Sequence, residues 1–262
     1  MSSQPHRLFE LDHPIYGHLV RLIWQYRFMT TGQIARFTKI GYLSQRSALR
    51  QTNRHLKLLS EHGLVTSLER RVGGWQGGSA MSIWTLTDTG QQVITGRKKR
   101  KRPEYLSTHF LEHHLAITEV HLVATETARS QSGIIISEME LEPACWRSYL
   151  GPHGEQKTLK PDMFLQITSP QYVDSYYIEV DRATENPARV IRKTMQYQDW
   201  QQRGTDQETL GVFPKILWLT PNQTRQEQLT RHLKADKDIR DDIFSVITLE
   251  ELPQVIIQGP GH

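Results

Sequence analysis

Asp162, Glu179, Asp181 and Lys193 fall within one stretch, Lys160 to Trp200, that reads as two acid-bearing strands followed by a lysine-bearing helix. Phe164 and Ile167, then Val173, Tyr177, Ile178 and Val180, make two β-branched and aromatic runs, and Ser169, Pro170 and Gln171 between them signal a hairpin. Antiparallel pairing across that turn brings Asp162, near the start of the first strand, to the same end of the sheet as Glu179, near the end of the second. Side chains alternate along a strand, so Tyr177, Glu179 and Asp181 share one face while Ile178 and Val180 take the other. Carboxylates so placed suit a hard divalent cation such as Mg²⁺, which uses one or two of them together with water and substrate phosphates. The same spacing also fits solvated acids on an open sheet face.

Pro161-Asp162, a hairpin, and Ile178-Glu179-Val180-Asp181 resemble the core of the PD-(D/E)xK nuclease superfamily, whose motif sets Asp after Pro and then Glu or Asp two residues before Lys. Asp181 stands at the lysine position. Some members carry the lysine on the following helix, where this chain has Lys193, with Gln196 and Tyr197 one turn on. More closely, EVDRATEN followed by RKTMQYQDW is similar to the replication-relaxation family of plasmid and mobile-element proteins, which also begin with a winged-helix segment. The resemblance implies that Asp162 and Glu179 hold Mg²⁺ or Mn²⁺, with Asp181 in the motif and Lys193 offsetting charge on the phosphate. It also implies a histidine near His113 and makes Glu112, Glu119 and Glu140 further candidates for a metal site.

The 262 residues allow two domains. Their net charge of +4 conceals an asymmetry: 17 Lys and Arg against 5 Asp and Glu up to Arg102, and 15 against 23 beyond it. The basic part is the nucleic-acid candidate. No run approaches transmembrane length, and MSSQPHRLFELDHP lacks a secretion-signal pattern, so the expectation is an intracellular protein without membrane contact, which the family resemblance implies to be bacterial, cytoplasmic and DNA-associated. Cys145, alone, excludes an internal disulfide and a cysteine-based zinc cluster.

Residues 1–95 read as a winged helix-turn-helix: a helix through Leu19, Leu22, Ile23 and Tyr26 to about Phe28, a short one capped by Thr30 or Thr31, a third from Ser44 to His62, then a hairpin with a Gly73–Gly78 tip. On the third helix Leu49, Leu56 and Leu59 face inward, whereas Gln45, Arg46, Arg50, Asn53, Arg54 and Lys57 fall on the opposite side. This is a recognition-helix pattern for double-stranded DNA, with Arg70 and Arg71 flanking the wing. A solvated charged face is the alternative.

Residues 96–103 form a linker whose basic run includes Arg97, Lys98, Lys99 and Arg100 and could lie along phosphates. Residues 104–262 read as helix, three strands, helix, strand, so the fold class is α/β (α+β) with a restriction-endonuclease-like α-β-β-β-α-β domain. The stretch from Pro143 to Lys157 shows no periodicity and reads as a loop. His109, His113, His114 and His121 share a helix without an evident third ligand, which favours structural histidines. Three functions fit: an accessory or initiator factor in plasmid replication or transfer, an endonuclease, and a transcription regulator. Other replication, transfer or recombination proteins are expected partners, and a homodimer on paired half-sites is an expectation for winged-helix proteins.

Overall fold

The computed structural model describes residues 14–38, 44–72, 81–97, 107–151, 154–184 and 186–259, with backbone alone at 69–72 and 81. The fold is mixed α/β, and the chain divides into two compact units, residues 1–122 and 123–262. The division falls inside a helix, well beyond the basic run that the sequence marks as a linker.

In the first unit, α1 (Ile15–Tyr26) is followed by the short strand β1 (Met29–Thr30), then α2 (Thr31–Thr38), α3 (Gln45–Glu61) and the strands β2 (Val65–Val72) and β3 (Met81–Leu86). The strands form a sheet in the order β1-β3-β2. β1, which periodicity does not reveal, is two residues long and exists only through its pairing of Met29 with Trp84 and Thr30 with Ile83. Local sequence fixes the helix ends. Thr30 Oγ1 accepts from the Gln33 backbone N–H at 3.1 Å while Gln33 Oε1 accepts from the Thr30 N–H at 3.0 Å, a reciprocal cap on α2. Ser44 and Ser47 do the same for α3. Helix α1 stops at Tyr26, short of Phe28, because Arg27 turns into the left-handed region at φ 64°.

The unit's core gathers Leu19, Ile23, Tyr26, Ile34, Leu56, Leu59 and Ile83. The first turns of α5 (Thr108–Ser130) join it, with Leu111 and Leu115 packed on Phe28 and Ile83. Between β3 and α5, helix α4 (Asp88–Thr95) starts at Thr87, whose hydroxyl accepts from the Gly90 N–H at 3.1 Å and donates to the Gly63 carbonyl at 2.6 Å. That closeness explains Gly90: a Cβ there would lie 2.1 Å from the Leu64 carbonyl oxygen. Gly90→Ala is therefore expected to destabilise the first unit by about 1–3 kcal/mol, as overpacking does, and a urea titration followed by circular dichroism would register it as a lowered midpoint.

The second unit is built on a five-stranded sheet in the order β10-β9-β8-β7-β4. Strands β4 (Ile135–Leu141), β7 (Met163–Thr168) and β8 (Val173–Val180) form an antiparallel meander, α6 (Pro187–Gln201) follows, and β9 (Lys215–Thr220) then pairs parallel to β8. With the end of α5 ahead of the meander, this is the α-β-β-β-α-β order expected. Two helices, α7 (Thr205–Leu210) and α8 (Gln223–Ala235), flank β9, and β10 (Phe244–Thr248) and α9 (Leu252–Gln258) close the chain.

The stretch from Pro143 to Lys157 differs from its expected irregularity, since it contributes to a small hairpin of β5 (Arg147–Leu150) and β6 (Gln156–Leu159). Each strand is four residues, too short to display a period, and only Tyr149 and Leu159 turn fully inward. Tyr149 lies 5.6 Å from the Trp200 ring, which seats the hairpin against α6. Beneath α6 and α8, Phe164, Tyr177, Tyr197, Trp200, Trp218 and Leu229 make the aromatic core.

Candidate functional site

The β7–β8 hairpin turns at Ser169, whose N–H donates to the Tyr172 carbonyl at 2.9 Å, and its register sets Met163 opposite Ile178. One residue further out, the Asp162 N–H donates to the Ile178 carbonyl at 3.2 Å, and Asp162 Oδ2 accepts from the Val180 N–H at 2.8 Å. Asp162 and Glu179 therefore meet at the same end of the sheet. The face that carries Glu179 and Asp181 is not open: α6 and α8 cover it, leaving Glu179 1% and Asp181 3% exposed.

α6 begins where Asn186 Oδ1 accepts from the Ala188 N–H and Pro187 fills the first turn, and it turns Val190, Thr194, Tyr197 and Trp200 onto the sheet. Lys193 stands at the border of that stripe. Its ammonium donates to Glu179 Oε2 at 2.5 Å, and the Tyr197 hydroxyl donates to Glu179 Oε1 at 2.5 Å. Burial raises the Glu179 carboxyl to about 7; the Lys193 charge pulls it back, and repulsion from Asp162 adds to the rise. The Tyr197 hydroxyl is raised well above its ordinary value by burial and by the Glu179 charge, so it remains a donor. Two carboxylates close enough to repel each other, with an ammonium already attracted to one, are a site that would favour a cation. Their donor chemistry fits Mg²⁺ or Mn²⁺ completed by water and phosphate oxygens, provided Lys193 releases Glu179 Oε2.

Asp181 lies apart from this cluster. Arg225 of α8 grips it bidentately, Nε to Oδ2 at 2.6 Å and Nη2 to Oδ1 at 3.1 Å, while the Asp181 N–H donates to the Leu219 carbonyl at 2.9 Å. The acid at the motif's lysine position thus anchors a helix to the sheet, and the ammonium arrives from α6 instead. Just beyond it, Ala183 sits at φ 58°, a left-handed turn that the anchored Asp181 precedes.

The other candidate ligands have other partners. Glu119 forms an ion pair with Arg36 and accepts from Gln33 Nε2 at 3.1 Å, within the first unit. Glu140 pairs with Arg147 at 2.8 Å. His121 Nδ1 shares a hydrogen bond with the Tyr26 hydroxyl, and His114 packs 4.3 Å from the Phe110 ring, in keeping with structural histidines. Among the described residues no group of three or more His, Cys, Asp or Glu is arranged to hold a metal ion. Cys145 is buried with its thiol raised to about 12 by that burial, and it donates to the Pro161 carbonyl at 3.1 Å, fixing the residue before Asp162.

Sequence reasoning missed two residues that shape the site. Arg225 carries no local signal, because its partner is 44 positions away. Asp206 accepts from the Tyr177 hydroxyl at 2.7 Å and from Trp200 Nε1 at 2.6 Å, pinning the aromatic floor under α6. Tyr197 has a visible signal, since four residues after Lys193 is the same helical face.

In the first unit, α3 buries Ala48, Thr52, Leu56 and Leu59. The inward stripe thus includes Ala48 and Thr52, and Leu49 is only half-buried. Gln45, Arg46, Arg50, Asn53, Arg54 and Lys57 are all exposed on one side of the helix, with the exposed Glu61 following at its C-terminal end. Arg97 is also exposed. The side chains of Arg70 and Arg71, and all of Lys98, Lys99 and Arg100, lie outside the described residues. No described helix is long and apolar enough to cross a membrane.

The replication-relaxation family model matches residues 20–216. No curated protein matches the chain. Among solved structures, protein VC1899 from Vibrio cholerae aligns over 98% of this chain and 56% of its own at 13% identity, with a TM-score of 0.32. Restriction endonuclease FokI aligns over 93% of this chain and 44% of its own at 11% identity, with a TM-score of 0.28. The chain spans about half the length of these structures.

Proposed function

The chain belongs to the replication-relaxation family, and from that premise we propose that it is a double-stranded DNA-binding factor, accessory or initiator, in the replication or transfer of a plasmid or other mobile element. The observation that carries this reading is the exposed arc of α3, where Arg46, Arg50, Asn53, Arg54 and Lys57 project from a helix whose opposite side is locked into the core. With the β2–β3 hairpin as its wing, the first unit works as a winged helix: arginine forks read guanine edges in the major groove and lysine meets phosphate. Bacterial DNA, partner replication or transfer proteins, and a homodimer on paired half-sites complete the proposal.

A second reading, a metal-dependent endonuclease, is favoured by the Lys193 ammonium at Glu179 beside Asp162. In that reading Asp162 and Glu179 hold Mg²⁺ or Mn²⁺, which when bound activates water and stabilises the leaving oxygen. Tyr197 holds Glu179 in position, and Lys193, released from Glu179, offsets charge on the phosphate. The binding role is preferred because Asp181 replaces the motif lysine and Glu179 is closed off by its own neighbours.

One incubation tests both. With Mg²⁺ present, wild type is expected to bind duplex DNA and leave supercoiled DNA intact, while R46A/R50A/R54A binds about tenfold or more weakly. Equal affinity of the two proteins would overturn the binding reading. Nicking by wild type that Glu179→Ala abolishes would put the endonuclease first.

A further inference from the structure

The outer surface of α6 is unaccounted for by the α3 arc or the carboxylate pair. Residues three and four apart are neighbours on a helix surface, so Arg189 and Gln196 flank Lys193, and Arg192 adjoins both of them. Arg189, Arg192 and Gln196 are all exposed. The four positions make one contiguous diamond that starts at the ammonium on Glu179 and runs outward onto open surface. The nearest acid on the helix, Asp199, lies beyond Gln196. The chain beyond Arg102 carries 23 acids against 15 bases, so three cations between Arg189 and Lys193 stand out from its composition.

We propose that Arg189, Arg192 and Gln196 form a second DNA-binding surface, one that holds the phosphodiester backbone and leads a strand to Asp162, Glu179 and Lys193. The inference rests on the reading above in taking DNA as the ligand. The chemistry suits phosphate: two guanidinium forks give bidentate, charge-assisted hydrogen bonds, and a glutamine amide adds a neutral donor. The acidic remainder of the unit repels a polyanion, which confines contact to about two phosphates and keeps it from becoming a broad nonspecific patch. Arg189 and Arg192 are positioned to bind and align.

The test is a salt titration of full-length R189A/R192A by fluorescence anisotropy, on one duplex and one single strand. Loss of two phosphate contacts is expected to lower the slope of log affinity against log salt by about 1.8 on duplex or about 1.4 on single-stranded DNA. R189K/R192K should keep the slope and lose only part of the affinity. Arg231→Ala, which removes an exposed charge from α8, should change neither, and an unshifted melting temperature shows that each variant is folded. Wild-type affinity and slope for R189A/R192A on both ligands would overturn the proposal, as would an equal per-charge loss in Arg231→Ala. R46A/R50A/R54A run alongside separates the two surfaces: loss there alone removes the α6 surface and leaves the α3 reading, whereas loss in R189A/R192A alone does the reverse.

Discussion

Replacing Arg225 by alanine is expected to destabilise the second unit by about 3–5 kcal/mol, the range for removing one partner of a buried ion pair. Arg225 is 6% and Asp181 3% exposed, so truncation leaves a carboxylate under α8 that water does not reach. The loss exceeds a simple pair because Arg225 Nη1 also donates to Gln228 Oε1 at 2.8 Å, tying the anchor to the next turn of its own helix. Arg225→Lys keeps the charge but loses the two-pronged geometry, and should fall between wild type and alanine. The decisive comparison is the cycle with Asp181→Asn: once the acid is neutral, removing Arg225 should cost far less. Urea midpoints of the four proteins give the coupling directly. A midpoint for Arg225→Ala equal to wild type, or additive losses in the double variant, would show that the pair does not hold α8.

The same pair marks the boundary of what the chain discloses before folding. The β7–β8 hairpin is legible because β-branched and aromatic residues flank Ser169 and Pro170, and once the turn is fixed the register that brings Asp162 to Glu179 follows. Helix starts are legible wherever a side chain caps locally, as Ser44 and Asn186 do. Strand alternation correctly puts Glu179 and Asp181 on one face, yet it cannot say what covers that face. Cover comes from α6 and α8, whose arrival depends on the parallel crossover to β9, and nothing in the acids' own neighbourhood encodes it. For the same reason Lys193 is legible as a lysine on the following helix, whereas its contact with Glu179 depends on how that helix packs. Arg225 looks like any arginine near a helix start. The β5–β6 hairpin escapes notice because R-S-Y-L and Q-K-T-L are too short and polar for a period to emerge.

Glu179 provides the sharper test, because the protein keeps a carboxylate where an amide would be more comfortable. Its carboxyl is raised to about 7 from the ordinary 4.5, first by burial. The folded state therefore binds this proton more tightly than the unfolded chain, and between about pH 4.5 and 7 stability falls as pH rises; below that window both states are protonated, and above it both are ionised. Glu179→Gln removes the titration while leaving an acceptor for the Tyr197 hydroxyl, and Lys193, 27% exposed at its side chain, can turn to water. The stability of Glu179→Gln relative to wild type is thus expected to rise by up to about 3 kcal/mol across that window, at 1.36 kcal/mol per pKa unit. That figure already includes Lys193 and Tyr197, which stabilise the ionised form and keep the carboxyl from rising further. Melting curves of both proteins between pH 4 and 8, on the order of that window, should converge at the acid end and separate toward neutrality, with the glutamine variant higher. Parallel curves would mean that the Glu179 carboxyl has the same affinity for its proton folded and unfolded, so that burial does not raise it. A divergence would instead identify Glu179 as a charge retained at the expense of stability, the pattern of a residue kept for its chemistry and not for the fold.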